Sequence, residues 1–198
     1  MIYKQLIDPK SIVVVGASDN ILKPGGSVLY NLVNGTFDKE LYVVNARGGT
    51  IQGAKAYKSI KDIPQTDLAV ISIPSAQCLP TVKYLANEKG VKAFIVFSSG
   101  FSEESPEGAI MEKELVSIVN EAGAIMIGPN CSGFFNTNHQ SIFTRPIPNL
   151  DPMGVDIISS SGGTITYIIE SAMRIGLRFN SAWSIGNAAQ VGIEDILE

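Results

Sequence analysis

Histidine and cysteine are scarce in this chain, with one of the first and two of the second among 198 residues. A lone histidine, His139, with no clustered carboxylates makes no metal site, because such sites need several converging ligands. It also leaves the two cysteines, Cys78 and Cys131, without a recognisable base to turn a thiol into a nucleophile. The cysteines form no CxxC pair, and Met1-Ile2-Tyr3-Lys4-Gln5 opens no apolar signal segment. Reduced thiols in a cytoplasmic protein are the expectation. No run of about 18 apolar residues is available to cross a membrane. Basic runs are missing as well, and a net charge of −4 argues against nucleic acid as the main partner.

What is present begins with a βαβ unit. Ser11-Ile12-Val13-Val14-Val15-Gly16-Ala17-Ser18-Asp19 is an apolar strand running into a turn of small residues. Pro24-Gly25-Gly26-Ser27 opens a helical stretch to about Gly35, and Leu41-Tyr42-Val43-Val44 is a second strand closing on Asn45. A glycine-rich turn between strand and helix is where a phosphate group sits. The tight dinucleotide fingerprint is absent, since eight residues separate Gly16 from the Gly25-Gly26 pair. The second strand ends in Asn45, with Arg47 beyond it, where an NAD site has an acidic residue for the ribose hydroxyls. The unit therefore reads as Rossmann-like and its ligand as a phosphorylated compound other than NAD.

The same alternation continues along the chain. Strands are expected at 11–16, 41–45, 67–73, 92–97 and 124–127, and helices at 26–34, 76–89 and 106–121. The strands are short and rich in Val and Ile, as in a parallel sheet covered on both faces. The last helix starts with Ser105 as N-cap, Pro106 at the first position and Glu107 in the first turn, and Gly123 closes it. A doubly wound α/β domain follows, and such domains bind ligands at the carboxyl ends of their strands. Five consecutive ends carry small polar residues and glycines: Gly16-Ala17-Ser18, Asn45-Ala46-Arg47, Ser72-Ile73-Pro74-Ser75, Ser98-Ser99-Gly100-Phe101 and Gly128-Pro129-Asn130-Cys131-Ser132-Gly133. Together they predict one groove lined by backbone amides and hydroxyls.

The pattern lapses over Asn136–Pro152, where Asn, Thr and Pro dominate. The expected organisation is a domain at 1–137, a linker at 138–152 holding an exposed His139, and the beginning of a second unit at 153–198. That unit has a strand at Gly154–Ile158, the turn Ser159-Ser160-Ser161-Gly162-Gly163-Thr164, a helix from Ile165 to Arg174, and a strand ending at Ser184-Ile185-Gly186-Asn187. Two strands cover too little sheet to stand alone. A fragment of a longer protein is the favoured reading, completion by another chain the alternative.

These residues resemble the amino-terminal part of the nucleoside-diphosphate-forming acyl-CoA synthetases, the group containing ADP-forming acetyl-CoA synthetase. They are similar, more distantly, to the alpha subunit of succinyl-CoA synthetase. The resemblance rests on Ser11–Ser18, Val43-Val44-Asn45, Asp67–Pro74, Ser98-Ser99-Gly100-Phe101, Ile127–Gly133, Ile158–Gly162 and Ser184-Ile185-Gly186-Asn187, which together span nearly the whole chain. It implies a Rossmann-like CoA-binding domain followed by the start of a flavodoxin-like ligase domain. It implies a reaction in which acyl-CoA, ADP and phosphate interconvert with acid, CoA and ATP. An acyl phosphate forms first, and a histidine carries the phosphoryl group. That phosphohistidine is expected beyond Glu198, and ATP, ADP and Mg are expected on an ATP-grasp domain or beta subunit outside this chain. The partners implied are CoA and a small carboxylic acid, in an oligomer.

Within that resemblance, CoA contacts are expected from Gly16, Ala17, Ser18, Lys23, Gly25, Ser27, Asn45, Arg47, Ile73, Pro74, Ser98, Ser99, Gly100, Asn130 and Cys131. Small residues at Gly16–Ser18 let a backbone approach a pyrophosphate. Lys23 and Arg47 are either solvated charges or partners of the CoA phosphates. Cys131 is read as packing near the thiol end of CoA, and Cys78 as helix packing. Ser159, Ser160, Ser161 and Gly162 precede a helix, where amides bind anions and serine caps. The resemblance assigns them to the acyl-phosphate side. Two other functions stay open: a non-catalytic CoA-binding protein, and an NADP-dependent oxidoreductase using Arg47 for the 2′-phosphate. Fusion to an acetyltransferase is a further arrangement of the complete protein.

Overall fold

In the computed structural model, which describes residues 3–197, helix α1 (Lys4–Ile7) leads into β1 (Ser11–Val15), a strand buried along its whole length. Helix α2 (Pro24–Asn34) crosses to β2 (Glu40–Val44). A hairpin of β3 (Gly49–Ile51) and β4 (Ala54–Tyr57) follows, then β5 (Leu68–Ile71), α3 (Cys78–Glu88), β6 (Ala93–Val96), α4 (Pro106–Glu121) and β7 (Ile125–Ile127). The seven strands form one sheet in the order β3-β4-β2-β1-β5-β6-β7, parallel except for the β3–β4 pair. β1 pairs with β2 on one side and β5 on the other, so the chain reverses direction of growth at β1 and opens a crevice there. Its buried Val and Ile side chains divide between two apolar layers, one under α2 and one under α3 and α4.

The β3–β4 hairpin has no counterpart in the sequence reading. Its turn is Gln52-Gly53, both at positive φ (47° and 83°), the geometry of a tight two-residue hairpin. Asn-Gly or Asp-Gly announces such a turn, and Gln-Gly announces it weakly. Strands of three and four residues add little periodicity.

A second sheet follows: β8 (Gly133–Phe135), β9 (Gln140–Ile142), β10 (Leu150–Ser159), α5 (Gly162–Arg174), β11 (Phe179–Ser184) and α6 (Ile193–Leu197). Its order is β10-β11-β8-β9, with β10 and β11 parallel and the other two pairings antiparallel. Here two expectations are corrected. The stretch 138–152 is not a free crossing: it contains β9 and the start of β10, and it is bonded to α2. Asn31 Nδ2 donates to Ile142 O (2.6 Å) and Thr144 O (3.0 Å). Asn138 looks like loop punctuation, yet its Nδ2 donates to Ile7 O (3.2 Å) and ties the stretch to α1. β10 begins at Leu150 because a bulge absorbs Pro152, with Leu150 and Val155 both opposite Phe179.

His139 is the second correction. It is fully buried, not exposed. Its ring lies between Leu6 O and Ser141 Oγ, each at 2.8 Å, and edge-on to Phe134. A carbonyl only accepts, so Nε2 carries the proton and Nδ1 accepts from Ser141. With Asn136 Nδ2 donating to Ile7 O (2.8 Å), it ties α1 to the second sheet.

Candidate functional site

The turn after β1 is held by close backbone approaches that admit only glycine. Gly16 has φ +88°, and a Cβ there would lie 2.1 Å from Ser72 O. A Cβ on Gly25 would lie 2.2 Å from Gly16 O. The first turn of α2 and the ends of β1 and β5 are thus in backbone contact, and α2 points its N-terminus at the crevice. Asn45 completes the arrangement: its Nδ2 donates to Ala17 O and its Oδ1 accepts from Arg47 N, both at 2.8 Å.

A groove of about 610 Å³ opens above these ends. Gly16, Ala17, Ser18 and Lys23 form one wall; Asn45, Ala46 and Arg47 a second; Ser72, Ile73 and Pro74 a third. Lys23, Arg47 and Lys58 are exposed cations lining it, and no carboxylate does. Its chemistry is that of an elongated anionic ligand: amides and cations for phosphates, and apolar surface from Ile60, Ile73 and Pro74. A neighbouring hollow of about 310 Å³ shares Ser72, Ile73 and Pro74 and extends to Pro24, Phe97, Ser98 and Ser99.

Eight of the residues expected to meet the ligand, Gly16, Ala17, Ser18, Lys23, Asn45, Arg47, Ile73 and Pro74, therefore share one groove, and Ser98 and Ser99 line its extension. Others are placed elsewhere. Gly25 is buried under Gly16, and its part is packing. Ser27 is buried and donates to Phe143 O (2.6 Å). Gly100, at φ +98°, donates to Glu103 Oε1 (2.6 Å). Asn130 sits beyond the 128–129 turn and reaches Asn187 Oδ1 (3.2 Å).

Cys131 lines neither hollow. Its thiol is buried against Val96 O (3.3 Å), and burial pushes its pKa up to about 12. An apolar core surrounds it. Cys78, the first residue of α3, is buried, and burial raises its pKa as well.

Ser159, Ser160, Ser161 and Gly162 lie at the end of β10, where Ser161 Oγ caps α5 by accepting from Thr164 N (3.2 Å). They line neither the groove nor its extension.

The sequence reading missed Lys58, Ser59, Gln77 and Thr81, which also line the groove. Lys58 follows β4, so an unrecognised strand hid it. Gln77 and Thr81 lie around the start of α3, where only the β5–α3 connection points to them. A larger hollow of about 770 Å³ lies between α2 and the stretch before β10, lined by Tyr30, Asn34, Arg145 and Pro148 among others. None of the carboxyl ends of the parallel strands of the first sheet lines it. Size alone does not make it the site, and the groove has the anion-binding groups.

A family model described as a CoA binding domain matches residues 10–137. The alpha subunit of ADP-forming acetate–CoA ligase II from Pyrococcus furiosus is 38% identical over 192 residues, a match covering 96% of this chain and 41% of that protein. ADP-forming 4-hydroxybutyrate–CoA ligase from Nitrosopumilus maritimus is 31% identical over 196 residues, covering 98% of this chain and 28% of that one. The apo structure of acetyl-coenzyme A synthetase 1 from Ca. Korarchaeum cryptofilum superposes with a TM-score of 0.89 at 30% identity, over 98% of this chain and 42% of its own. The chain thus spans less than half the length of each of these relatives.

Proposed function

Since the chain belongs to the CoA-binding domain family, we propose that it is the CoA-binding portion of an NDP-forming acyl-CoA synthetase. The carrying observation is the groove itself, where the ends of β1, β2 and β5 meet three cations above the β1–β5 crevice. CoA presents a pyrophosphate, a 3′-phosphate and a long neutral arm. The turn at Gly16–Ser18 and Lys23 suits the pyrophosphate, and Arg47 and Lys58 suit the 3′-phosphate. The extension past Pro74 to Ser98 and Ser99 gives the pantetheine arm a path.

The relatives include ligases named for acetate and 4-hydroxybutyrate and a trans-feruloyl-CoA synthase, so the acid is a carboxylate whose identity other residues select. On this reading residues 1–137 are the CoA domain, and residues from 153 open a ligase domain whose Ser159–Gly162 turn faces the acyl phosphate. The phosphohistidine and an ATP-grasp module belong to the remainder of a cytoplasmic, oligomeric enzyme. The 198 residues alone bind CoA without ligating it.

Calorimetric titration of the chain with CoA, acetyl-CoA, NAD and NADP tests this. Binding of CoA and acetyl-CoA alone, weakened in Arg47→Ala, supports the reading. Preference for NADP overturns it. Gly16→Val is a poor probe, because its side chain would collide with Ser72 O and disturb the fold together with the site.

A further inference from the structure

Gln52 sits at the tip of the β3–β4 hairpin with φ 47°, a left-handed conformation that costs a non-glycine residue free energy. Its side chain reaches across to the loop between β1 and α2. Nε2 donates to Ser18 O and to Gly26 O, both at 2.8 Å. The amide nitrogen has two hydrogens, so both are used. The backbone N–H of the same residue donates to Asp19 Oδ1 at 2.8 Å. One strained residue thus makes two bonds to the loop after β1 and one to the first turn of α2.

That loop needs an outside support. A tight dinucleotide turn closes within a few residues, whereas here eight lie between Gly16 and Gly25. Its own bonds are local: Asn20 N to Ser18 Oγ, Leu22 N to Asn20 Oδ1, and Lys23 N to Asn20 O. From outside, Asn45 Nδ2 holds Ala17 O and Arg145 holds Ile21 O, and the Gln52 carboxamide alone of these three also bonds the first turn of α2.

We propose that Gln52 is a positioning residue for the CoA groove, clasping the loop after β1 at Ser18 O to the first turn of α2 at Gly26 O. The proposal rests on the CoA reading above. Its chemistry is simple. The Ser18 carbonyl oxygen turned into the groove would repel a pyrophosphate, and engaged by Gln52 it is held out of it. The clasp also fixes the stem of the loop that carries Lys23. Gln52 itself lines no part of the groove.

The test is titration of CoA and dephospho-CoA into the unsubstituted chain and into Gln52→Gly and Gln52→Leu. Glycine suits the positive φ, so Gln52→Gly removes the carboxamide while relieving the strain. The expected result is affinity for both ligands about tenfold weaker in both variants, with the unfolding temperature of Gln52→Gly within about 2 °C of the parent. Affinities within twofold of the parent overturn the proposal. So does a loss confined to CoA, which would place the effect at the 3′-phosphate. Failure of both variants to fold makes Gln52 a structural residue and overturns it too. If the unsubstituted chain binds neither ligand, the CoA reading itself fails and the clasp falls with it. Where the unsubstituted chain binds CoA, each of the other overturning results counts against the clasp alone.

Discussion

Phe134 and Trp183 stack face to face, their ring centroids 3.9 Å apart and their planes within 2°. They are register partners across the β8–β11 pair, so an antiparallel pairing places the two rings over each other. Both are buried, and both belong to the core layer that runs from the first sheet into the second. Phe134→Ala should cost about 3–4 kcal/mol. Urea unfolding followed by the fluorescence of Trp183, the single tryptophan, measures the loss. A cost below about 1 kcal/mol would show that the stack contributes little to joining the sheets.

Lys58 is exposed and lines the groove without any ion pair among the described residues. Lys58→Ala should therefore leave the unfolding temperature nearly unchanged and weaken CoA binding by about three- to tenfold. The deficit should shrink at high salt, because exposed charges are screened. Calorimetry at two ionic strengths checks both statements. Equal affinities at low salt would remove Lys58 from the phosphate site.

Both thiols should be silent in the native protein. Cys131 is enclosed, with a pKa of about 12, and burial raises that of Cys78. The thiolate is the reactive form. A disulfide reagent at pH 8 should label neither residue until denaturant is added, and then both. Rapid native labelling of Cys131 would contradict its place in the core.

His139 makes stability depend on acid. Burial lowers its pKa from 6.5 to about 4; the Leu6 carbonyl and Asp8 oppose that fall, and Lys39 adds to it. Above pH 6.5 the ring is neutral in both folded and unfolded chains and contributes no pH dependence. As pH falls from 6.5 toward 4, the unfolded chain takes up the proton and the folded chain resists it. Stability should then drop by roughly 3 kcal/mol across that window. Asp8, whose pKa is lowered chiefly by its bond from Lys39, is lost only at lower pH. Urea midpoints between pH 7 and 4 test this. His139→Gln should flatten the slope, and an unchanged slope would assign it to other groups.

Much of the first sheet is legible from residue order. Val- and Ile-rich runs such as Ser11–Val15 and Leu68–Ile71 are buried on both faces, so their composition alone marks them as central strands. Ser105 and Pro106 announce α4, and Ser105 Oγ does cap it, accepting from Gly108 N at 3.0 Å. Glycines and small polar residues at the ends of those strands point to a groove before any coordinates do, because strand ends in a parallel sheet share one edge.

Tertiary structure decided the remainder. Gly25 and Gly16 look alike as turn glycines, yet one faces the groove and the other lies beneath it. Cys131 follows a strand end like Ser98, but its side chain points into the core. His139 sits among polar residues in the sequence and is buried by helix α1, more than a hundred residues earlier in the chain. The Gln52 clasp depends on a hairpin folding back over a loop some 30 residues before it. Local pattern determines which segments become strands and helices, since it reflects each residue's own preference and burial. Which side chains meet is set by contacts distant in sequence, and these leave no mark on the neighbouring residues.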